Sequence, residues 1–292
     1  MNNRKVDVVV NVYGKPFQTI ATLRTLFHHS GAYIDKCFII FERMQPIRFD
    51  FTEMLRMIPR SCGFIPSNYK FQYSHVDLDN DAERLSVRYQ FAFEHGANRH
   101  LFITHNDVLY TENIVLKYLN LIGDGVGVGQ IGQCWNCPAN ASDICSGENF
   151  GRWIPSLKEV LSLPLPFART NLGNINERNP FPLPECRLNE WACLVDRQIS
   201  NEETIIRRRV PLFGLADGVD IGTSWFSGMH GLGYQFVHSV GGYDHGYWAN
   251  TTAGHGADKD KSLYDFGEQR AKDFIENGQR WLAKAEHVRS QY

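Results

Sequence analysis

The chain predicts an α/β fold built on a mainly parallel sheet, and three observations carry that prediction. Between Val6 and Ile131, short β-branched apolar runs alternate with segments whose apolar residues recur every three or four positions, which is the pattern of βαβ units. An apolar fraction of 43% over 292 residues is enough for one large core or two small ones. The longest apolar runs fall far short of the roughly 18 residues that a membrane-spanning helix needs, so no integral membrane segment is expected.

The elements follow in order. Val6 to Val12 is a buried strand; Gly14, Lys15 and Pro16 then break it and start a helix with Phe17, Ile20, Leu23 and Phe27 on one face. Cys37 to Phe41 and Phe71 to Val76 read as the second and third strands. Asn80 and Glu83 are placed as N-cap and N3 of a helix that turns Leu85, Tyr89, Ala92 and Phe93 inward and ends at Gly96. Leu101 to Thr104 is a fourth strand, and Thr111 is placed to cap a helix bearing Ile114, Val115, Tyr118 and Leu119. Val126 to Ile131 is a further strand. Beyond it, Pro164, Pro166, Pro180, Pro182 and Pro184 mark a long loop, and Lys261 to Glu286 forms an amphipathic helix packing through Leu263, Phe266, Phe274 and Trp281.

Charge narrows the partners. Thirty basic against 32 acidic residues give a net charge of −2, with no electrostatic footprint for nucleic acid. The opening MNNRKVD passes straight into the first strand without a secretory apolar region, so a cytoplasmic location is expected. In that setting seven cysteines, an odd number, point to thiol or metal chemistry more than to disulfides.

In an open parallel sheet, ligands bind at the carboxyl ends of the strands, where loops and helix starts converge. His105, Asn106 and Asp107 leave the fourth strand at that end. An acidic residue delivered there is placed to hold a divalent cation that neutralises a diphosphate; the other role open to Asp107 is to cap the next turn.

The order VDVVVNVYGKP, FIIFER, VRYQFAFEHGANRHLFITHND, GVGVGQIG, then DGVDIG and GLGYQFVHSVGGYDHG resembles the inverting family-two-like glycosyltransferases of the glycosyltransferase A fold, over residues 5 to 246. The resemblance implies a nucleotide-diphosphate sugar donor, a glycan or other hydroxyl acceptor, and Mn²⁺ or Mg²⁺. It places Val12, Tyr13, Glu42, Arg88, Asn106 and Asp107 at the donor, with Arg88-Tyr89 where the family has an Arg-Asn pair. His105-Asn106-Asp107 stands where the family has Asp-x-Asp, which makes Asp107 the main acidic ligand and leaves His105 as a ligand or simply a polar neighbour. His245 resembles the family histidine that reaches the diphosphate or the metal, with His255 as a substitute. The base falls to Asp217 or Asp220, since Gly218 occupies the usual position; a helix beginning near Asp217 would turn both onto one face. Glu190 and Trp191 face the acceptor, or else Trp191 is a core residue of an amphipathic strand.

Cys134 and Cys137 form a chelating knuckle, and Cys145 with Cys186 can complete a structural zinc site, while Cys193 sits among apolar residues as a core thiol would. Small buried thiols or a redox-sensitive cluster are the other readings of the same spacing. The expected organisation is one domain over residues 1–292, with a nucleotide-sugar half (1–132) and an acceptor half (133–292) carrying the cysteines and the last helix. A nucleotidyltransferase, a non-catalytic sugar- or nucleotide-binding protein and a zinc hydrolase are the rival classes.

Overall fold

The computed structural model describes residues 4–42, 45, 54, 56, 69–73, 89–132, 138–150, 157–163, 186–214, 220–249 and 260–289. Among them a seven-stranded sheet forms the centre. In chain order the elements are β1 (Val6–Val12), α1 (Pro16–Ser30), β2 (Ile34–Phe41), β3 (Tyr69–Tyr73), α2 (Gln90–His95), β4 (His100–Thr104) and β5 (Val108–Tyr110). They continue with α3 (Ile114–Leu121), β6 (Gly127–Ile131), α4 (Pro138–Ala141), α5 (Leu157–Ser162), β7 (Leu188–Asp196) and α6 (Arg197–Asn201). The last are α7 (Thr223–Gly231), β8 (Phe236–His238), β9 (Tyr243–His245) and α8 (Lys261–Arg289).

The sheet order is β3-β2-β1-β4-β7-β6-β8. Every neighbouring pair is parallel except those that β7 makes with β4 and β6, so the expected α/β class with a mainly parallel sheet is the one the chain adopts. Strand alternation divides the core. Val8, Val10, Phe102 and Leu194 face α1 and α3, while Val9, Ile103, Cys193 and Val195 face α2 and α7. From β1 the chain winds outward through β2 and β3, then returns to place β4 on the other side of β1. The direction of winding therefore reverses between β1 and β4, and a crevice opens at the carboxyl ends of these two strands.

Three expectations need correction. Asn113, not Thr111, caps α3, its side chain accepting from the Leu116 N–H, while the Thr111 N–H donates to the Gly242 carbonyl. Phe266 is 50% exposed; the buried face of α8 is Tyr264, Glu268, Ala271 and Phe274, because the helix docks on α1 and the Tyr247–Ala249 turn through that stripe. The helix expected to begin near Asp217 begins at Thr223, after Gly222 in the left-handed region (φ 78°). The third strand is described at Tyr69–Tyr73, and residues 74–76 of its expected span lie outside the described residues. The proline-rich loop, Asn80, Glu83 and Leu85 lie outside the described residues, as does the side chain of Trp281.

Candidate active site at the sheet crevice

The site is assembled at the reversal between β1 and β4. Beyond β1, Gly14 and Lys15 both adopt left-handed backbone (φ 65° and 55°), which turns the chain sharply into Pro16 at the first position of α1. For a lysine that conformation is strained, and the surroundings hold it there. The Lys15 N–H donates to the Tyr264 hydroxyl (3.0 Å), and the Gly14 N–H donates to Gln45 Oε1 (2.6 Å). Glu268 caps α1 from the last helix, accepting from the Phe17 and Gln18 amides at 3.0 and 3.2 Å. The result aims the Lys15 ammonium at Asp107, with Nζ 2.7 Å from Oδ2.

Beyond β4, the Asn106 amide donates to the Gly14 carbonyl and to Thr19 Oγ1, both at 3.1 Å, and so fixes the exit against the first turn. The short pair of β5 and β9 then brings His245 back beside Asp107, and the Gly246 N–H donates to the Asp107 carbonyl (3.1 Å). One ligand atom each from His105, Asp107 and His245 lies within 4.8 Å of the others. Asp107 Oδ1 is 3.4 Å from His245 Nε2 and 3.9 Å from His105 Nδ1, and the two ring nitrogens are 3.2 Å apart. Oδ1 is buried and finds no hydrogen-bond partner. A buried carboxylate oxygen left open beside two imidazole nitrogens is a donor set that fits a divalent cation.

Asp107 is 3% exposed. Burial works against its charge, but Lys15 and then His245 and His105 outweigh that and hold its carboxyl well below the usual carboxylate range. On the other flank His105 Nε2 lies 3.2 Å from Glu190 Oε1. Glu190 is also buried, and there Arg187 and His105 overcome the cost of burial and depress its pKa. The Arg187 guanidinium reaches past Glu190 (Nε to Oε2, 3.6 Å) to pair with Asp220. Trp191 is 6% exposed; its ring stacks on His245 at 4.6 Å between centroids, and its Nε1 donates to the Tyr243 hydroxyl (3.0 Å). Burial pushes the Tyr243 phenol up to about 12, so this hydroxyl stays a neutral hydrogen-bonding group.

Of the residues singled out in the sequence, His105, Asn106, Asp107, Glu190, Trp191 and His245 meet here, with Asp220 linked through Arg187. Val12 is fully buried as the last residue of β1, and Tyr13 follows at the rim. Glu42 is buried at the end of β2, where it accepts from Asn11 Nδ2. Cys145 and Cys186 border one small apolar cluster with Ala139, and Cys193 is a fully buried core thiol whose pKa burial raises. Arg88, Cys134, Cys137, Asp217 and His255 lie outside the described residues. Sequence reasoning missed Lys15, Arg187 and Tyr243 as site residues. Only the Gly-Lys-Pro break after β1 carried a local signal for any of them.

No protein-family model and no curated protein matches the sequence. Among solved structures the chain is similar to the mannosyltransferase PcManGT from Pyrobaculum calidifontis in complex with GDP-Man and Mn²⁺, at 11% identity, TM-score 0.48, and 80% of this chain against 54% of that one. It is also similar to S. aureus TarS, as residues 1–349 (10% identity, TM-score 0.33, 44% of this chain against 35% of that one) and as a longer chain (11%, 0.33, 44% against 21%). The chain therefore spans about half or less of the length of each.

Proposed function

We propose that this protein is a glycosyltransferase that moves a sugar from a nucleotide-diphosphate donor to a hydroxyl acceptor, inverting the anomeric centre and depending on a divalent cation, Mn²⁺ or Mg²⁺. The observation that carries the reading is the placement of Lys15, His105, Asp107 and His245 together at the crevice where the sheet reverses direction. Open α/β sheets bind their ligands at that crevice, and this one gathers cationic and cation-binding groups suited to a diphosphate. The alternatives on the same fold, a nucleotidyltransferase or a non-catalytic binding protein, have no observation of their own in their favour.

In this reading residues 1–132 bind the donor, with Tyr13, Val12, Glu42 and Arg88 around the nucleotide. Asp107 and His245 hold the cation, which when bound stabilises charge on the leaving diphosphate. Lys15 adds a fixed positive charge at the same place. The acceptor half, 133–292, supplies Glu190 and Trp191 beside the incoming hydroxyl, and a carboxylate of the 217–220 segment takes its proton as general base. Asp217 is the favoured base; Asp220, tied to Arg187, orients the segment. Inversion follows from a single displacement, with the hydroxyl entering opposite the diphosphate. Cys134, Cys137, Cys145 and Cys186 would bind a separate structural zinc that pins the proline-rich loop.

The test is a thermal-shift screen of nucleoside diphosphates and nucleotide sugars with and without Mn²⁺, followed by transfer assays on whichever donor stabilises the fold. A metal-dependent shift with one nucleotide class is expected, as is turnover that falls about 10²-fold or more in Asp217→Asn while nucleotide affinity is kept. A nucleotide shift without sugar transfer to any hydroxyl acceptor would leave a binding protein in its place.

A further inference from the structure

We infer that the strand-exit site selects a nitrogen-accepting first-row transition ion and rejects Mg²⁺, because His105 is a third ligand oriented by Glu190. The inference rests on the reading of this cluster as a cation site and narrows the ion from Mn²⁺ or Mg²⁺.

The proton on His105 can be placed by its neighbours. A carboxylate oxygen of Glu190 faces Nε2 at 3.2 Å, and the hydrogen bond between them puts the ring hydrogen on Nε2. That leaves the Nδ1 lone pair directed at Asp107 Oδ1 and His245 Nε2. A carboxylate behind the far nitrogen of a metal-binding histidine fixes the tautomer and ring orientation and raises the basicity of the ligand. The three donor atoms, separated by 3.2, 3.4 and 3.9 Å, fit around one ion: ligands about 2.1 Å from a metal in a tetrahedral set stand roughly 3.4 Å from one another.

The set is two nitrogens and one oxygen, and that oxygen is weakened as a ligand for a hard cation. Lys15 already holds Oδ2 at 2.7 Å and balances the charge of Asp107, so only Oδ1 is open. Mg²⁺ depends on carboxylate charge and oxygen donors and parts reluctantly with its water, whereas imidazole suits the transition ions. The second acidic residue near the site, Glu190, spends Oε1 on His105; its Oε2 is buried without a hydrogen bond and faces, at 3.6 Å, the Arg187 guanidinium, whose charge opposes a cation there. The site therefore offers little to a hard ion. To a softer one it offers the His105 Nδ1 lone pair and His245 Nε2, whose hydrogen moves to the other ring nitrogen when an ion binds.

The probe is Mn²⁺ added alone to the purified full chain, followed by electron paramagnetic resonance, with Mg²⁺ as competitor. Bound Mn²⁺ should show couplings to two directly bound nitrogens and should resist displacement by about a hundredfold excess of Mg²⁺. His105→Asp should remove one nitrogen coupling and let Mg²⁺ compete; Glu190→Gln should keep both couplings and weaken Mn²⁺ binding about 10- to 100-fold. A single nitrogen coupling in the unaltered protein, or displacement by equimolar Mg²⁺, overturns the inference while leaving the cation site in place. Failure of Mn²⁺ to bind, or binding that Asp107→Asn leaves unchanged, overturns the cation-site reading and this inference with it. The nitrogen count in the unaltered protein decides the matter even if a variant does not fold.

Discussion

Two buried acidic residues, in different parts of the molecule, show how differently this chain uses a carboxylate. Glu203, in the turn after α6, accepts from Arg207 Nη1, Arg209 Nη2 and the Tyr234 hydroxyl on Oε1 and from Arg209 Nε on Oε2, so both oxygens are engaged. Asp107, at the crevice, has Lys15 on one oxygen and nothing within good hydrogen-bonding geometry on the other. The first arrangement is closed and joins three segments of the chain. The second is incomplete within the protein, and a buried acceptor left incomplete costs stability that only a ligand returns. The difference separates a structural carboxylate from one kept ready for binding.

The sharpest way to break this contrast is Asp107→Asn, which removes the open anionic oxygen and keeps the shape. Losing an outer partner of a metal ligand costs 10- to 100-fold in affinity, so losing the ligand itself should lower cation affinity by at least about 10²-fold. Calorimetric titration with Mn²⁺ measures it, and circular dichroism should show the fold retained. Unchanged affinity would remove Asp107 from the site.

A third buried carboxylate refines the comparison, because Glu268 is bonded among the described residues by neutral donors, the two amides that open α1 and the Gln18 side chain, with Lys15 supplying a weaker attraction. Burial outweighs those bonds and raises its pKa to about 7 from an ordinary 4.5. Between these two values the unfolded chain has released this proton and the folded chain still holds it, so the contribution of Glu268 to stability falls as pH rises from 4.5 to 7. The loss across that window is up to roughly 3 kcal/mol, at about 1.4 kcal/mol for each pKa unit. Chemical denaturation of Glu268→Gln and the unaltered protein at pH 4.5, 5.5 and 7 should show the difference between them drifting in that direction. A constant difference would mean that Glu268 does not change protonation in this range.

How much of this was legible in the sequence follows from the range of each interaction. Strand β1, helix α1, strand β4 and the buried face of α3 are written in local periodicity, and they emerge nearly where expected. The position of Asp107 was legible as well, because a strand exit in a parallel sheet is a place defined by order along the chain. The three-residue strands β5 and β9 are too short to show a period, yet they deliver His245. Nothing in LNEWACLVD states that β7 runs antiparallel between two parallel neighbours, and that placement sets Glu190 beside His105. Lys15 meets Asp107 across 92 positions and Glu268 meets Gln18 across 250, and without covariation a single sequence does not record pairings of that span. Residue types and strand order were therefore readable, and the charge balance of the site was not.

The smallest expected effect belongs to the closed carboxylate. Arg209, through its hydrogen bonds, is the main cause that holds the Glu203 pKa below its ordinary value, ahead of the opposing cost of burial and the help of Tyr234. Glu203 is therefore a group whose folded pKa is depressed; its contribution is complete above the unfolded value near 4.5 and fades as pH falls below it. The arginines are about half exposed, and water screens what their charges supply. Glu203→Gln should consequently lower Tm by only about 3–6 °C at pH 7. That difference should shrink below pH 4.5, opposite in direction to the drift expected of Glu268. Mn²⁺ affinity should not move, because among the described residues no bond of this cluster reaches the crevice. Scanning calorimetry and the same titration test both halves of the statement. A variant that loses Mn²⁺ binding while keeping its Tm would show that the closed cluster and the open one are coupled, and the distinction between structural and ligand-binding carboxylates would fail here.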